Sequence, residues 1–556
     1  MPRRAPRKHP AAPKPGTPAR PVHAPVAPAS PPVAPAPLAD TGSPTQTLFL
    51  LVVLLCVGLS ARPVTPAVDT WAHAAVGKWI WDNGRVPDRT LYLWSADQPW
   101  VAHSWLAQLA FYGLVSAGGD EPDGPLRLVT MAACALTFGL IWRMWARHAP
   151  TAVWAALVFA FVIQYAAPRF RPRPELFTAL GVTVLLLYLH HRTAAPPVAG
   201  WRKRELVGGA ALAAMFVVWT NAHGGVAVGL ALLATTAACD LAQDRFDRRS
   251  RALALLAVGC AAATLLNPYG LAYWNVLRTT GGYTFAHIVE WLPPWTAPAA
   301  GAGWYVRFVL LVAVAVTGWA RGPRRRWAEL AWVVGTACAT LSARRHVYLL
   351  CLVSLIVAAA HADALAPRAP GGALGRLFRR GRPARPGADA LSAAPAPGGW
   401  RGPMLVGAVV GGLLLASWIS PDWVAPPPPD GAADFLREHH TGGRVFNLYD
   451  GSSYLQWRLV GHPPLFIDLL NAYPDRVMID HDDIVGCSPR GRALLDELRI
   501  DWVVFTADLS VPMTNRPLYH FLTRHPGWRV VYRDDAAVVW ARRTAATDAL
   551  PSVPAE

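Results

Sequence analysis

Asp69 and His73 stand four residues apart in DTWAHAAVGKW, a spacing that places a carboxylate and an imidazole on one helix face. A carboxylate can act as a general base or hold a divalent cation. The same residue types recur in short polar interruptions further along. They are His103 in QPWVAHSW, Arg169, Arg171 and Arg173 with Glu175 in RFRPRPE, Asn221 and His223 in NAHGG, Tyr269 in NPYG, Glu290 in IVEW, and Arg344, Arg345 and His346 in SARRH. Arg127 opens a further apolar run. Guanidiniums pair bidentately with phosphate. Carboxylates and imidazoles beside arginines therefore suggest group transfer from a phosphate-linked donor. Asp69, His73, His103 and Glu290 are the candidate catalytic groups. Arg127, Arg169, Arg171, Arg173, Asn221, His223, Tyr269, Arg344, Arg345 and His346 are the candidate phosphate- and substrate-binding groups. No metal ligand set is assigned; a divalent cation is compatible with the carboxylates but not required by them.

The elements that must position these groups are apolar runs. The 556 residues are 53% hydrophobic and 16% charged, where soluble domains are nearer a quarter charged. Runs approaching the about 20 residues that cross a bilayer recur through most of the chain. The first lies at about 46–61, a second at 126–145, and others near 151–167, 175–190, 205–220, 222–240, 251–266, 304–320, 327–342, 346–364 and 403–420. The short run 104–118 is expected to lie in the interface as an amphipathic helix. This leaves an outer loop over 62–125, about eleven transmembrane helices and a cytoplasmic N-terminus. The connections assigned to the cytoplasm are basic: HHRTAAPPVAGWRKR, QDRFDRRSR, RGPRRR and the linker 366–402. The net charge of +17 is then a matter of membrane orientation, and nucleic acid is not an expected partner. Arg169, Arg171, Arg173, Arg344 and Arg345 fall on the opposite face, where cations run against that bias; an anionic ligand would explain them. The many Trp of the 69–105 stretch suggest a loop resting on the membrane surface.

Residues 1–45 are Pro, Ala and basic residues and are expected to be a disordered cytoplasmic tail. After a Pro-rich linker at 421–430, the pattern over 431–545 is that of a small extracytoplasmic α/β domain. RVFN, PLFID and DWVVF read as strands, SYLQWRLV and ALLDELRI as helices, and WRVVYRD with AAVVWARR as a terminal hairpin. Six of the seven Cys lie in apolar runs, so no disulfide framework is expected. Local alternatives stand beside the chemical ones. Asp69 suits a helix N-cap, NAHGG suits a tight turn in which Gly supplies positive φ, NPYG suits a helix stop, and Glu290 suits solvation.

The motifs together resemble a known group. An acidic residue just after the first span, in an outer loop with interfacial helices, looks like the GT-C superfamily of integral membrane glycosyltransferases. This superfamily includes protein O-mannosyltransferases and aminoarabinose transferases. More closely, the chain is similar to a bacterial multi-span group with the run DxWxH (Asp69–His73), GxWIxxxGxVP (Gly77–Pro87), QPWVxHxW (Gln98–Trp105), RPxxF (Arg173, Pro174, Phe177), NxHGG (Asn221–Gly225), NPYG (Asn267–Gly270), EW (Glu290–Trp291) and RRH (Arg344–His346). The resemblance covers roughly 46–364. It implies a polyprenyl-phosphate-linked sugar as donor, Asp69 as the loop acid, and Arg127 as the arginine that the O-mannosyltransferases require. Two departures stand out: Thr70 follows Asp69 where the superfamily pairs two acids, and Ser104 stands where the closer group carries Glu.

The expected function is therefore transfer of a sugar from a polyprenyl phosphate to an extracytoplasmic acceptor of the cell envelope. The expected location is the bacterial inner membrane, with membrane lipids, donor and acceptor as partners. The alternatives are a transporter of a lipid-linked anion and a non-catalytic membrane scaffold.

Overall fold

The computed structural model describes residues 44–65, 68–148, 152–194, 203–275, 282–296, 301–365, 401–419, 426–507, 511–550 and 553. The expectations for the N-terminal tail up to residue 43, for residues 366–400 of the linker and for 421–425 lie outside these residues. The chain is mostly helical up to Trp418, and a small sheet follows.

In chain order the helices are α1 (Pro44–Ser60), α2 (Thr70–Asn83), α3 (Trp105–Ala117), α4 (Gly124–His148), α5 (Ala152–Ala166), α6 (Glu175–Ala194), α7 (Lys203–Ala222), α8 (Val226–Gln243), α9 (Arg248–Ala263), α10 (Ala302–Arg321), α11 (Trp327–Ser342), α12 (Val347–Ala360) and α13 (Arg401–Trp418). Five of them, α4, α7, α8, α10 and α13, contain stretches long and apolar enough to cross a membrane. Helix α12 explains the layout. VYLLCLVSLIVAA is apolar on every side, and each residue from Val347 to Ala359 is buried. An apolar surface on every side suits lipid as well as a protein interior; here protein covers it, and α12 packs against α4, α5, α6, α10 and α11. The RRH motif immediately before it is thereby carried to the middle of one end of the bundle.

Helices α2 and α3 pack face to face. Their backbones approach at Gly77, where a Cβ would lie 2.0 Å from the Gln108 carbonyl oxygen. Only glycine allows this contact. Ala107, Gln108, Phe111 and Val115 form the buried side of α3. Phe111 and Val115 join Val64, Trp71, Ala74, Leu126 and Tyr454 in one cluster. The helix expected to float in the interface is thus held by protein on that side.

Beyond residue 430 lies a four-stranded sheet of order β1-β2-β4-β3, with β1 Arg444–Asn447, β2 Ile500–Thr506, β3 Trp528–Arg533 and β4 Ala537–Arg542. Strands β1 and β2 are parallel; β4 runs antiparallel to both β2 and β3. The parallel pair needs a crossover, and helices at Ser452–Leu459, Asp475–Val485 and Pro489–Glu497 provide it. Alternation divides β2 between two cores: Trp502 and Val504 face one, Val503 and Phe505 the other. PLFID is not a strand of this sheet. Pro463 and Pro464 remove two donors in succession. Leu465 instead forms an isolated parallel bridge with Leu93, and the Phe466 and Ile467 N–H groups donate to Asn447 Oδ1 at 2.8 and 3.3 Å.

That bridge corrects the expectation for the Trp-rich loop. The Trp94 ring packs at a tilt against Phe466, with centroids 5.2 Å apart, and its indole N–H donates to the Val445 carbonyl at 2.8 Å. Ala96 is part of the sheet region's core. Trp71 is buried edge-on to Tyr454, and Trp105 donates to Asn221 Oδ1 at 2.7 Å. Trp81, 68% exposed, is the one left open for a membrane surface among the large exposed side chains of this loop. Three of the six indoles, Trp71, Trp94 and Trp105, thus rest on protein, which supplies the same mixture of apolar body and polar partner that the headgroup region would.

Candidate functional site

Connections between the helices meet at the α12 N-terminal end and carry a continuous ion-pair network. Asp69 precedes α2 but makes no capping hydrogen bond; its Oδ1 lies 2.9 Å from Arg173 Nε. Arg173 Nη1 lies 3.0 Å from Glu290 Oε2. Arg169 donates through Nη1 to the same Glu290 oxygen at 2.5 Å and through Nε to Glu175 Oε1 at 2.7 Å. Its Nη2 donates to the second Glu175 oxygen, completing a bidentate pair. Arg345 reaches Glu290 Oε1 at 3.3 Å and Glu175 Oε2 at 3.4 Å. Its guanidinium also lies over the Trp291 ring, 4.2 Å from the centroid.

The network has a deep end and a shallow end. The Glu175 side chain is 4% exposed, whereas Asp69 is 26% exposed. A reactant coming from solvent therefore meets Asp69, Arg173 and Glu290 first. Burial pushes the Glu290 carboxyl up, but Arg169, Arg173 and Arg345 outweigh it and hold it well below the usual carboxylate range. Arg171 serves through its backbone: its N–H donates to the Arg169 carbonyl and its carbonyl accepts from the Arg173 N–H, which folds the RFRPRP turn.

Beside the network lies a group of imidazoles. The His103 and His223 rings are 6.4 Å apart, and His73 Nδ1 lies 3.2 Å from Gln108 Nε2. Burial lowers all of them: His73 in direction, His103 to about 4 and His223 to about 3, with neighbouring imidazoles and arginines adding to the effect on the last two. They are neutral at pH 7, each with one N–H to offer. Around His223 the tautomer follows from its partners. Nδ1 accepts from the Gly225 N–H at 3.1 Å and lies 2.7 Å from Thr178 Oγ1, which itself accepts from Trp219 Nε1 at 2.9 Å. That leaves the His223 proton on Nε2. The glycine in NAHGG serves closeness rather than φ: Gly225 has φ −63, and a Cβ there would lie 2.1 Å from Thr178 Oγ1. His346 is likewise lowered to about 4, by burial and then by Arg345.

Other candidates lie outside the ion-pair network in this arrangement. Asn221 Nδ2 donates to the Val217 and Leu266 carbonyls while Oδ1 accepts from Trp105, tying three connections together. The Tyr269 hydroxyl donates to the Pro87 carbonyl at 2.6 Å and accepts from the Ala102 N–H at 3.0 Å. Arg127 does not join the network; its ion pair, at 3.3 Å, is with Asp123. Arg344 makes no ion pair among the described residues, and its N–H donates to the Leu292 carbonyl at 3.1 Å.

The sheet region adds groups that the sequence did not single out. Ser453 Oγ accepts from the Ala72 N–H at 2.8 Å, inside the DTWAH helix. The Tyr449 hydroxyl donates to Asn471 Oδ1 at 3.0 Å. Among the described residues no three His, Cys, Asp or Glu side chains are grouped so as to hold a metal ion. The three carboxylates face guanidiniums, so the arrangement does not fit a resident cation.

No family model and no curated protein matches the chain. Solved structures do. The archaeal oligosaccharyltransferase AglB from Archaeoglobus fulgidus, in complex with an inhibitory peptide and a dolichol-phosphate, aligns with TM-score 0.60 and 12% identity over 90% of this chain and 74% of that one. ArnT from Cupriavidus metallidurans, bound to undecaprenyl phosphate, aligns with TM-score 0.53 and 15% identity over 90% and 98%. The mycobacterial arabinofuranosyltransferase AftD aligns with TM-score 0.52 and 14% identity over 90% and 40%. At these identities the likeness is one of fold: the chain shares the overall architecture of these three structures.

Proposed function

We propose that this protein is a membrane glycosyltransferase that moves a sugar from a polyprenyl-phosphate donor to an acceptor hydroxyl at the outer face of a bacterial inner membrane. The observation that carries this reading is the network itself. Residues 69, 169, 173, 175, 290 and 345, far apart in the chain, meet at one end of the bundle as alternating carboxylates and guanidiniums.

In the proposed step Asp69, at the shallow end, takes the acceptor proton as general base. The acceptor oxygen bonds to the anomeric carbon, the bond from that carbon to the phosphate oxygen breaks, and the electron pair leaves with the lipid phosphate. Arg169, Arg173 and Arg345 stabilise the departing charge. The neutral imidazoles of His103 and His223 offer N–H groups to sugar or phosphate oxygens. With the about eleven crossings suggested by the apolar runs and a cytoplasmic N-terminus suggested by the basic connections, this end of the bundle and the sheet region lie on the outer side in this reading.

Replacing Asp69 by Asn keeps the shape and removes the base. We expect product formation to fall by about 10²–10⁴-fold while the variant purifies and melts as the parent does. Full transfer by a folded Asp69→Asn variant would refute the assignment. A non-catalytic scaffold draws its support from the same closed network, in which each of the three arginines already has a carboxylate; binding of a prenyl phosphate separates the two readings.

A further inference from the structure

Three guanidiniums converge on one carboxylate. Arg169 and Arg173 reach Glu290 Oε2 at 2.5 and 3.0 Å, and Arg345 reaches Oε1 at 3.3 Å. A guanidinium carries five N–H donors, and a carboxylate offers two oxygens. The three contacts use three of the roughly four lone-pair sites on that carboxylate, and a phosphate with three terminal oxygens offers the same guanidiniums more acceptor sites and more charge. The two network glutamates are also anchored differently. Glu175 is fixed in the first turn of α6 and is almost wholly buried. Glu290 sits in the single turn Val289–Trp291, which has no buried residue.

We propose that Glu290 is an internal stand-in for the donor's phosphate, a latch that occupies the anion site until the lipid phosphate displaces it. The inference rests on the proposed function for the identity of the displacing anion. Exchange solves an electrostatic problem. An empty site would leave the arginines short of negative charge in a partly buried setting, which is costly. A phosphate added beside Glu290 would crowd like charges. Swapping one anion for another avoids both. The segment has a fixed end about which the turn can swing. The Tyr283 and Thr284 N–H groups both donate to Asp475 of the sheet region at 3.0 Å. At the other end it is held by contacts that release with the latch: the Trp291 ring under Arg345 and the Arg344 N–H donating to the Leu292 carbonyl. Arg173 also faces Asp69, so the same exchange changes the partner of the proposed base's partner.

The test uses the purified full chain with farnesyl phosphate, inorganic phosphate and farnesol as probes. If the latch is closed nine-tenths of the time, Glu290→Gln tightens the apparent Kd for farnesyl phosphate about tenfold. In the parent chain, hydrogen exchange across 288–292 and at the Arg344 amide accelerates when farnesyl phosphate binds. The latch is overturned if Glu290→Gln binds no more tightly, or if 288–292 becomes more protected on binding. The two levels separate cleanly. Tight binding of farnesyl phosphate with no gain in the variant sinks the latch and keeps the lipid donor. A gain in the variant that is equal for inorganic phosphate and farnesyl phosphate keeps the latch and removes the lipid. No binding of either anion by either protein removes both.

Discussion

Replacing Glu175 by Gln tests whether the deep end of the network is a buried, coupled unit. Glu175 is 4% exposed and Arg169 9%, and the pair is bidentate. Removing one partner of a buried pair generally costs about 3–5 kcal/mol, because the other charge is stranded. Arg169 keeps Glu290 at 2.5 Å, so the lower end of that range, about 3 kcal/mol, is expected. The contrast is the Lys78–Asp82 pair on α2, with side chains 35% and 46% exposed, whose loss costs under about 1 kcal/mol. Thermal unfolding in one detergent, with Lys78→Ala beside Glu175→Gln, reads the difference directly. The double variant Arg169→Met with Glu175→Leu is expected to recover part of the loss, since apolar residues of similar volume carry no desolvation cost. If Glu175→Gln melts within the range of Lys78→Ala, the pair is solvated and the deep end does not exist.

Two further outcomes follow from the same geometry. His103 and His223 have folded values of about 4 and about 3 against an ordinary 6.5. Their contribution to stability is present above 6.5 and is lost as pH falls through the folded values. The parent should lose stability between pH 6.5 and about 4, and His103→Gln should flatten part of that slope in a melting series; an unchanged slope would mean the ring is not buried. For orientation, cysteines at the exposed positions Asp82 and Ser342 should react with an impermeant maleimide on intact cells, while one at Arg324 should not. Labelling of Asp82 and Ser342 from opposite sides would divide the site.

How much of this was legible from residues alone varied with the range of the forces involved. Helix limits, the β1, β2 and hairpin strands, and the residue types of the site follow from apolar runs, alternation and breakers, which act within a few neighbours. The run of α12 has no polar side, which suits lipid and a protein interior alike; its central place came from packing. Tertiary structure decided which polar groups meet. Arg169 could as well have faced a phosphate as Glu290, 121 residues away, and only the packing of connections around the α12 end brought the two together. Trp94 had an amphipathic ring to bury, but whether membrane or protein would cover it depended on a sheet some 350 residues later. PLFID had strand composition, yet its consecutive prolines and the side chain of Asn447 turned it to bridge Leu93 instead. Local preference is written in the chain one element at a time; long-range pairing is a sum over elements, settled when they pack.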